Sequence, residues 1–303
     1  MTRLKSPLLF IVFNRPDVTA KVWAQIAAAK PARLYIAADG PRNESDVVLC
    51  SETQAIFKNI DWDCDVHTLF RETNLGCKEA VSSAISWFFE REEEGIILED
   101  DCLPADDFFS FCDLMLEKFR NDTRIRHICG CNLQHGQKRG DASYYFSRLT
   151  HVWGWASWRR VWVDYDKDLI RFSPESPERL MQKVFEDTRV AGAWADIFRR
   201  LKRGEIDTWD FQLAFVNLFN NSLSVIPNSN LISNIGFGAA ATHTVNTADK
   251  NAALPSESLE EITHPEYVIP DREADSYTLV GDLVLPPKRK SLSKKVRDLF
   301  RGN

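Results

Sequence analysis

The feature that most constrains the fold is the alternation of short apolar runs with longer amphipathic segments through the first half of the chain. The runs LLFIVF (8–13), RLYIAA (33–38), DVHTLF (65–70) and GIILE (95–99) have the length and composition of strands. Intervening segments such as GCKEAVSSAISWFFEREEE (76–94) have helical periodicity. Strands that alternate with helices form parallel β-α-β units, so we predict an α/β fold with a Rossmann-like, mostly parallel sheet flanked by helices.

The second half of the chain is dominated by helical patterns. Helices are predicted over 105–120, 155–165 (WASWRRVWVDY), 190–204 and 209–221, and a returning strand over 222–227. In the second of these helices, three tryptophans at positions i, i+3 and i+7 would form one buried face. These residues are Trp155, Trp158 and Trp162.

The chain of 303 residues, with 44% hydrophobic side chains, can bury a substantial core. We predict a single catalytic domain over 1–245. Residues 246–287 are rich in Pro, Glu, Ser and Asp and are predicted to be a wrapping or linking extension. Residues 288–303 form a basic tail with amphipathic spacing.

Composition and targeting signals predict a cytoplasmic protein. The net charge of −6 argues against nucleic acid as a partner. No segment approaches the ~20 apolar residues of a membrane span, and the first apolar run is too short for a secretory signal. The seven cysteines lack paired CxxC spacing, so neither a disulfide framework nor a structural zinc site is indicated.

The tail departs from the acidic average of the chain. Apolar residues recur in it at helical spacing between basic ones, which is typical of a short helix on an anionic membrane surface. This pattern indicates peripheral contact with the inner face of the plasma membrane, and a disordered solubilising tail is the alternative. The basic residues are Lys288, Arg289, Lys290, Lys294, Lys295, Arg297 and Arg301.

Three consecutive acids, Glu99, Asp100 and Asp101, follow the apolar run GIIL. Ligands of an open parallel sheet bind at the carboxyl ends of its strands, where these residues fall. Adjacent carboxylates repel one another, and a hard divalent cation such as Mn²⁺ or Mg²⁺ bridging to phosphate oxygens would compensate their charge. The alternative is a water-exposed cluster at a helix N-terminus, but the buried run before the acids favours a ligand site.

The loops after the other predicted strands also carry polar groups. Asn14 and Arg15 follow the first strand, Asp39 follows the second, and Lys78 lies at the start of the helix after the third. Arginine, lysine and helix N-termini bind phosphate, and a carboxylate accepts hydrogen bonds from a base or a ribose. Four successive strands that end in this way favour a nucleotide ligand.

The order of these motifs resembles a known family. FNRP, ADGPR, NLGCKEAVSSAISWFF, GIILEDDCLP and FFSFC are followed by GWASWRRVW, TWDFQLAF and VIPNSNLISNIGFG. This series resembles nucleotide-sugar glycosyltransferases of the GT-A fold, and within them bacterial proteins distantly similar to N-acetylglucosaminyltransferase I. The resemblance covers about residues 7–245 and implies a GT-A-type sheet.

The resemblance implies roles for the donor side of a site. By similarity, Asp101 is the direct metal ligand, and Glu99 and Asp100 hold the ribose and the donor sugar. Arg15 and Asp39 hold the nucleobase. Asp39 and the resemblance together favour a UDP-sugar as donor.

The resemblance also implies roles downstream. Asp210 in TWDFQ corresponds to the catalytic base of an inverting transfer, although Phe211 stands where the relatives have a second acid, and Asp207 is the reserve candidate. His243 would reach the diphosphate or the metal, with a structural histidine as the alternative. Trp153 is the candidate for stacking on an acceptor sugar.

The sequence therefore predicts a metal-dependent glycosyltransferase that moves a sugar from a nucleotide diphosphate donor to a glycan or glycolipid acceptor, with polysaccharide biosynthesis implied by resemblance. A sugar-nucleotide pyrophosphorylase is the first rival, but such enzymes open with a glycine-rich loop and FNRPDVTAK has no glycine. A catalytically silent carbohydrate-binding or membrane-associated scaffold is the second.

Overall fold

The computed structural model describes residues 3–172, 176–237, 250–259 and 261–283. His243 and the basic tail therefore lie outside the described residues. The first half of the chain alternates strands and helices. Its elements are β1 (Leu8–Val12), α1 (Pro16–Ala29), β2 (Arg33–Ala38), α2 (Glu44–Ala55), β3 (Asp65–Phe70), α3 (Cys77–Phe89) and β4 (Glu94–Glu99).

The second half adds shorter strands and further helices. Its elements are β5 (Cys102–Pro104), α4 (Asp106–Phe119), β6 (Ile125–Cys129), β7 (Tyr144–Ser147), β8 (Trp155–Trp158), α5 (Arg159–Trp162), α6 (Pro177–Val184), α7 (Thr188–Lys202), α8 (Asp210–Phe219), β9 (Leu223–Pro227), β10 (Ile232–Asn234) and α9 (Arg272–Asp282).

Eight strands form one sheet in the order β3-β2-β1-β4-β8-β6-β9-β7. The first four are parallel neighbours, whereas β8 runs antiparallel to both β4 and β6. The predicted α/β class, with a Rossmann-like parallel first half flanked by helices, is confirmed. β5 and β10 pair separately as a two-stranded antiparallel ribbon.

The register of the parallel strands brings their carboxyl ends to one edge. Ile11 of β1 pairs with Ala37 of β2 on one side and with Glu99 of β4 on the other. Polar residues that follow these strands therefore emerge at the same level. β1 and the middle of β4 are buried throughout, because helices cover both faces of the sheet.

The prediction of a helix over 155–165 is wrong in its first part. Residues 155–158 form β8, and only Arg159–Trp162 form a helical turn. Ala156 and Trp158 face one core cluster and Trp155 faces the other, as expected for a strand buried on both faces. Such a strand lacks the apolar-polar alternation that identifies a half-buried strand, so its tryptophans resemble a helical stripe.

The described part of the predicted extension lies against the main sheet domain. Asp275 of α9 is buried and accepts a hydrogen bond from Ser147 Oγ at 2.5 Å. Gln134 Nε2 donates to Ala274 O at 3.2 Å and to Thr278 Oγ1 at 2.8 Å. Leu279 of α9 is part of an apolar core cluster, so the contacts of α9 are polar as well as apolar.

His127 of β6 makes folding stability depend on pH. Its Nε2 donates to His151 O at 2.7 Å, its ring stacks on Trp155 at 4.9 Å, and burial lowers its pKa to about 4 from 6.5. Neutral His127 is favoured in the folded state, whereas the unfolded chain binds a proton at this histidine below about pH 6.5. The contribution of neutral His127 to folding stability is therefore complete above pH 6.5 and is lost as the pH falls toward 4.

We therefore expect the free energy of unfolding to fall by roughly 2 to 3 kcal/mol more in the wild type than in His127→Phe between pH 7 and 4.5. Phenylalanine keeps the stacking on Trp155 and cannot be protonated. Urea unfolding of both proteins across this range measures the difference. Parallel pH dependences would show that His127 is not the responsible group.

Candidate active site

A cavity of about 390 Å³, here called the first cavity, opens where the carboxyl ends of β1, β2 and β4 meet. It brings together most of the site residues predicted from the sequence. Those in its wall are Asn14, Arg15, Asp39, Glu99, Asp100, Asp101, Trp153 and Asp210. Lys78 does not line this cavity.

The acidic end of β4 is tied to the β1 loop by Arg15. Its Nε lies 3.3 Å from Asp100 Oδ2 and its Nη2 lies 3.1 Å from Asp101 Oδ2, and the same Nη2 contacts Asp100 Oδ1. Burial disfavours the guanidinium charge, but the charges of Asp100 and Asp101 outweigh burial and raise the pKa of Arg15. Arg15 therefore remains a fixed cation beside these two acids.

The three acids differ in environment. Burial, opposed by Arg15, raises the pKa of Asp100 to about 6. Burial and the charges of Asp101, Asp100 and Asp210 raise the pKa of Glu99 well above its ordinary value. The side chain of Asp101 is 16% exposed and that of Asp100 only 4%. Asp101 is thus the more accessible of the two acids that Arg15 contacts.

Asp39 connects the loops after β2 and β3. It accepts hydrogen bonds from Asn74 Nδ2 at 2.8 Å, from Leu75 N at 3.1 Å and from Gly40 N at 3.0 Å. Burial raises its pKa, and the backbone N–H groups oppose that rise. Arg71 also lines this side of the cavity, where its Nη2 donates to Ser83 Oγ at 2.8 Å.

Asn14 belongs to a network that the sequence did not reveal. Its Nδ2 donates to Asp46 Oδ1 at 2.6 Å, and Asp46 also accepts from Arg42 Nε at 2.7 Å. The hydrogen bond from Arg42 outweighs burial and lowers the pKa of Asp46 to about 2. The Arg42 guanidinium lies 5.0 Å from the centre of the Phe13 ring and reaches the cavity wall. Only the ADGPR motif hinted at Arg42.

Lys78 and the N-terminus of α3 are occupied by protein carboxylates. Lys78 Nζ lies 2.8 Å from Asp168 Oδ1. The backbone N–H groups of Cys77 and Lys78 both donate to Asp207 at 3.2 Å. A carboxylate therefore already complements the helix dipole at the place where sequence reasoning expected phosphate.

Asp210 begins α8 and accepts a hydrogen bond from Thr208 Oγ1. Together with Val152 and Trp153 it lines the first cavity and also a second cavity of about 460 Å³. The Trp153 ring packs edge-to-face on Phe237 with centroids 5.8 Å apart. Asp210 and Trp153 thus lie in the wall between two cavities.

The acidic end of β4 fits a divalent cation that is held largely by its substrate. Among the described residues, no group of three His, Cys, Asp or Glu side chains converges as a metal site. Mg²⁺ bound with a nucleotide usually takes one or two carboxylates and completes its shell with phosphate oxygens and water. Asp101 has a hard carboxylate oxygen of this kind on a side chain that is 16% exposed. His243, the other predicted ligand, lies outside the described residues.

Comparisons with known proteins give only a distant likeness. No family model and no curated protein matches the chain. A UDP-glucose pyrophosphorylase complexed with UDP-glucose matches 75% of this chain and 90% of its own, with 8% identity and a TM-score of 0.35. HddC from Yersinia pseudotuberculosis matches 53% of this chain and 80% of its own, with 11% identity and a TM-score of 0.33.

A third solved structure, 4-diphosphocytidyl-2C-methyl-D-erythritolsynthase from Anaerococcus prevotii, matches 71% of this chain and 98% of its own, with 7% identity and a TM-score of 0.33. Scores this low carry no inference about the reaction of this chain. No helix in the described ranges combines the length and apolarity required to traverse a bilayer.

Proposed function

We propose that the protein is a glycosyltransferase that takes a sugar from a nucleotide diphosphate donor, with UDP favoured, and moves it to a glycan or glycolipid hydroxyl. The observation that carries this proposal is the position of Asp210 between the acidic first cavity and the second cavity. A carboxylate there can face an acceptor on one side and a donor on the other. Sugar transfer requires such an arrangement, because the acceptor and the donor must both be bound at the point of reaction.

The first cavity has groups for each part of a nucleotide sugar. Asp39 is assigned to the nucleobase, and Glu99 and Asp100 to the ribose and the donor sugar. Arg15, assigned to the nucleobase by resemblance, contacts Asp100 and Asp101. We therefore assign it to positioning these acids beside the diphosphate.

Sugar transfer develops negative charge on the departing diphosphate. Asp101 would hold Mn²⁺ or Mg²⁺, and the bound ion would neutralise that charge. Asp210 would accept the proton of the acceptor hydroxyl as that oxygen attacks the anomeric carbon from the side opposite the diphosphate. The product would therefore have inverted anomeric configuration.

The reaction is tested by incubating the protein with UDP-, GDP- and dTDP-sugars and a panel of acceptors, with Mn²⁺ or with a chelator. We expect metal-dependent release of nucleoside diphosphate and an inverted product by NMR. Nucleoside triphosphate formed from pyrophosphate and a nucleotide sugar would identify a pyrophosphorylase instead. Sugar binding without turnover would identify a silent carbohydrate-binding scaffold.

Gly236 offers a test of the geometry at Asp101. A Cβ at this position would lie 2.6 Å from Asp101 Cβ and 2.8 Å from Arg15 Nη1. Gly236→Ala must therefore displace Asp101 or Arg15. We expect kcat/KM to fall by about 10²-fold, a loss that a displacement of about 1 Å in an active site can cause. Steady-state kinetics measures this change.

The matched control is Gly192→Ala in α7, because a Cβ there meets no atom within 4 Å apart from its chain neighbours and the backbone of its own helix. It should keep wild-type kinetics. Thermal unfolding of both variants separates a local displacement from loss of the fold. Wild-type kcat/KM in Gly236→Ala would contradict the role of Asp101 in the proposed site.

A further inference from the structure

The second cavity differs in chemistry from the first. Its wall is mainly aliphatic and aromatic, whereas the wall of the first cavity combines apolar side chains with six acids, three arginines and three asparagines. Its volume of about 460 Å³ lies within the range of small-molecule sites, and apolar walls of this kind bury apolar parts of ligands. Representative lining residues are Leu133, Leu149, Ile197, Phe211, Leu218 and Leu279.

The apolar wall begins directly beside the proposed base. Phe211 follows Asp210 in α8 and lines the second cavity, where its ring packs edge-to-face on Trp194 with centroids 5.9 Å apart. Arg148, another lining residue, is held by Asp275 at 3.3 Å and by Val184 O at 3.2 Å. A molecule whose hydroxyl approaches Asp210 from the second cavity therefore contacts apolar side chains directly beside this acid.

The end of the described chain lies at this cavity. Leu283, the last described residue, is part of its wall. The basic tail begins at Lys288, five residues later, and five extended residues span at most about 17 Å. A tail that contacts an anionic membrane surface would therefore keep the second cavity within a short distance of the lipid.

We infer that the acceptor is a glycolipid whose apolar aglycone occupies the second cavity while a sugar hydroxyl faces Asp210. This inference rests on the proposed function and narrows its acceptor from glycans in general to lipid-linked sugars. The aglycone contacts Phe211 and Ile197, and Trp153 lies at the boundary between hydrocarbon and sugar. A free oligosaccharide would leave the apolar wall in contact with water.

The probes are n-octyl and methyl glycosides of glucose, galactose and N-acetylglucosamine, used below the micelle concentration of the octyl compounds. Binding is measured by isothermal titration calorimetry and by tryptophan fluorescence, since Trp153 and Trp194 line the cavity. We expect at least one octyl glycoside to bind about tenfold or more tightly than its methyl counterpart, because burial of about two methylenes suffices for this factor.

Two variants locate the octyl chain. Phe211→Ser and Ile197→Ser change partly buried positions of the cavity wall and should each reduce the octyl preference several-fold. Phe70→Ser, at an exposed position on the edge strand β3, is the matched control and should retain the preference. Thermal unfolding verifies that each variant is folded. The two wall variants are independent, so if one of them fails to fold, the other still tests the inference.

The outcomes separate this inference from the proposed function. Equal binding of octyl and methyl glycosides, or an octyl preference that both wall variants retain, would overturn the inference. Nucleoside diphosphate release that is equally fast with both glycosides would overturn it as well and leave the glycosyltransferase proposal standing. Octyl binding that Phe211→Ser weakens, without any release from any donor, would instead support the apolar site and contradict the proposed function.

Discussion

Replacing Asp101 with alanine is expected to reduce kcat/KM for sugar transfer by roughly 10²- to 10³-fold and to abolish the response to Mn²⁺. Asp101 is the more exposed of the two acids that Arg15 contacts, so it is the one able to reach a substrate-bound cation. The variant keeps the contact between Arg15 and Asp100. The loss should therefore be one of catalysis and not of folding.

Kinetics across a Mn²⁺ titration measures this effect. Asp106→Ala is the matched control, because Asp106 is an exposed acid in the first turn of α4 and does not line the first cavity. It should behave as the wild type at every metal concentration. If Asp101→Ala retained both its turnover and its Mn²⁺ requirement, the metal site would have to lie elsewhere and the proposed function would lose its basis.

The sheet edge that carries Asp101 was predictable because its signals are local. β1, β2 and β4 are mainly apolar runs followed by polar residues, and parallel strands must present their carboxyl ends together. β8 was not predictable in this way. It lies antiparallel between β4 and β6, and only these distant partners determine that residues 155–158 are extended.

The same distinction holds within the site. Asp207 accepts a hydrogen bond from the backbone N–H of Cys77, which lies 130 residues away in the sequence. Asn14 donates a hydrogen bond to Asp46, which lies 32 residues away. No spacing rule connects such pairs, because tertiary packing alone brings them together. The second cavity likewise draws its wall from loops and helices between Cys131 and Leu283. A sequence motif can thus predict the acids of the first cavity but not the chemistry of the second.

Replacing Asp210 with asparagine is expected to lower kcat by about 10²- to 10⁴-fold, the contribution of a positioned general base. Asparagine has the same shape and keeps an oxygen that can accept the hydrogen bond from Thr208, but it cannot accept the acceptor proton. Affinity for UDP should therefore remain within a few-fold of wild type. Steady-state kinetics and calorimetric titration with UDP measure the two quantities.

Asp196→Asn is the matched control, since this acid is exposed on α7 and lines neither cavity. Asp207→Asn provides the contrast. Asp207 accepts from Cys77 N through Oδ2 and from Lys78 N through Oδ1, so asparagine keeps one of these two hydrogen bonds and lacks a carboxylate that can accept a proton. Its kcat should stay near wild type if Asp210 is the base. If Asp207→Asn abolished transfer while Asp210→Asn retained it, Asp207 would be the base. Proton transfer would then take place at a residue of the first cavity and not at Asp210, which lines both cavities.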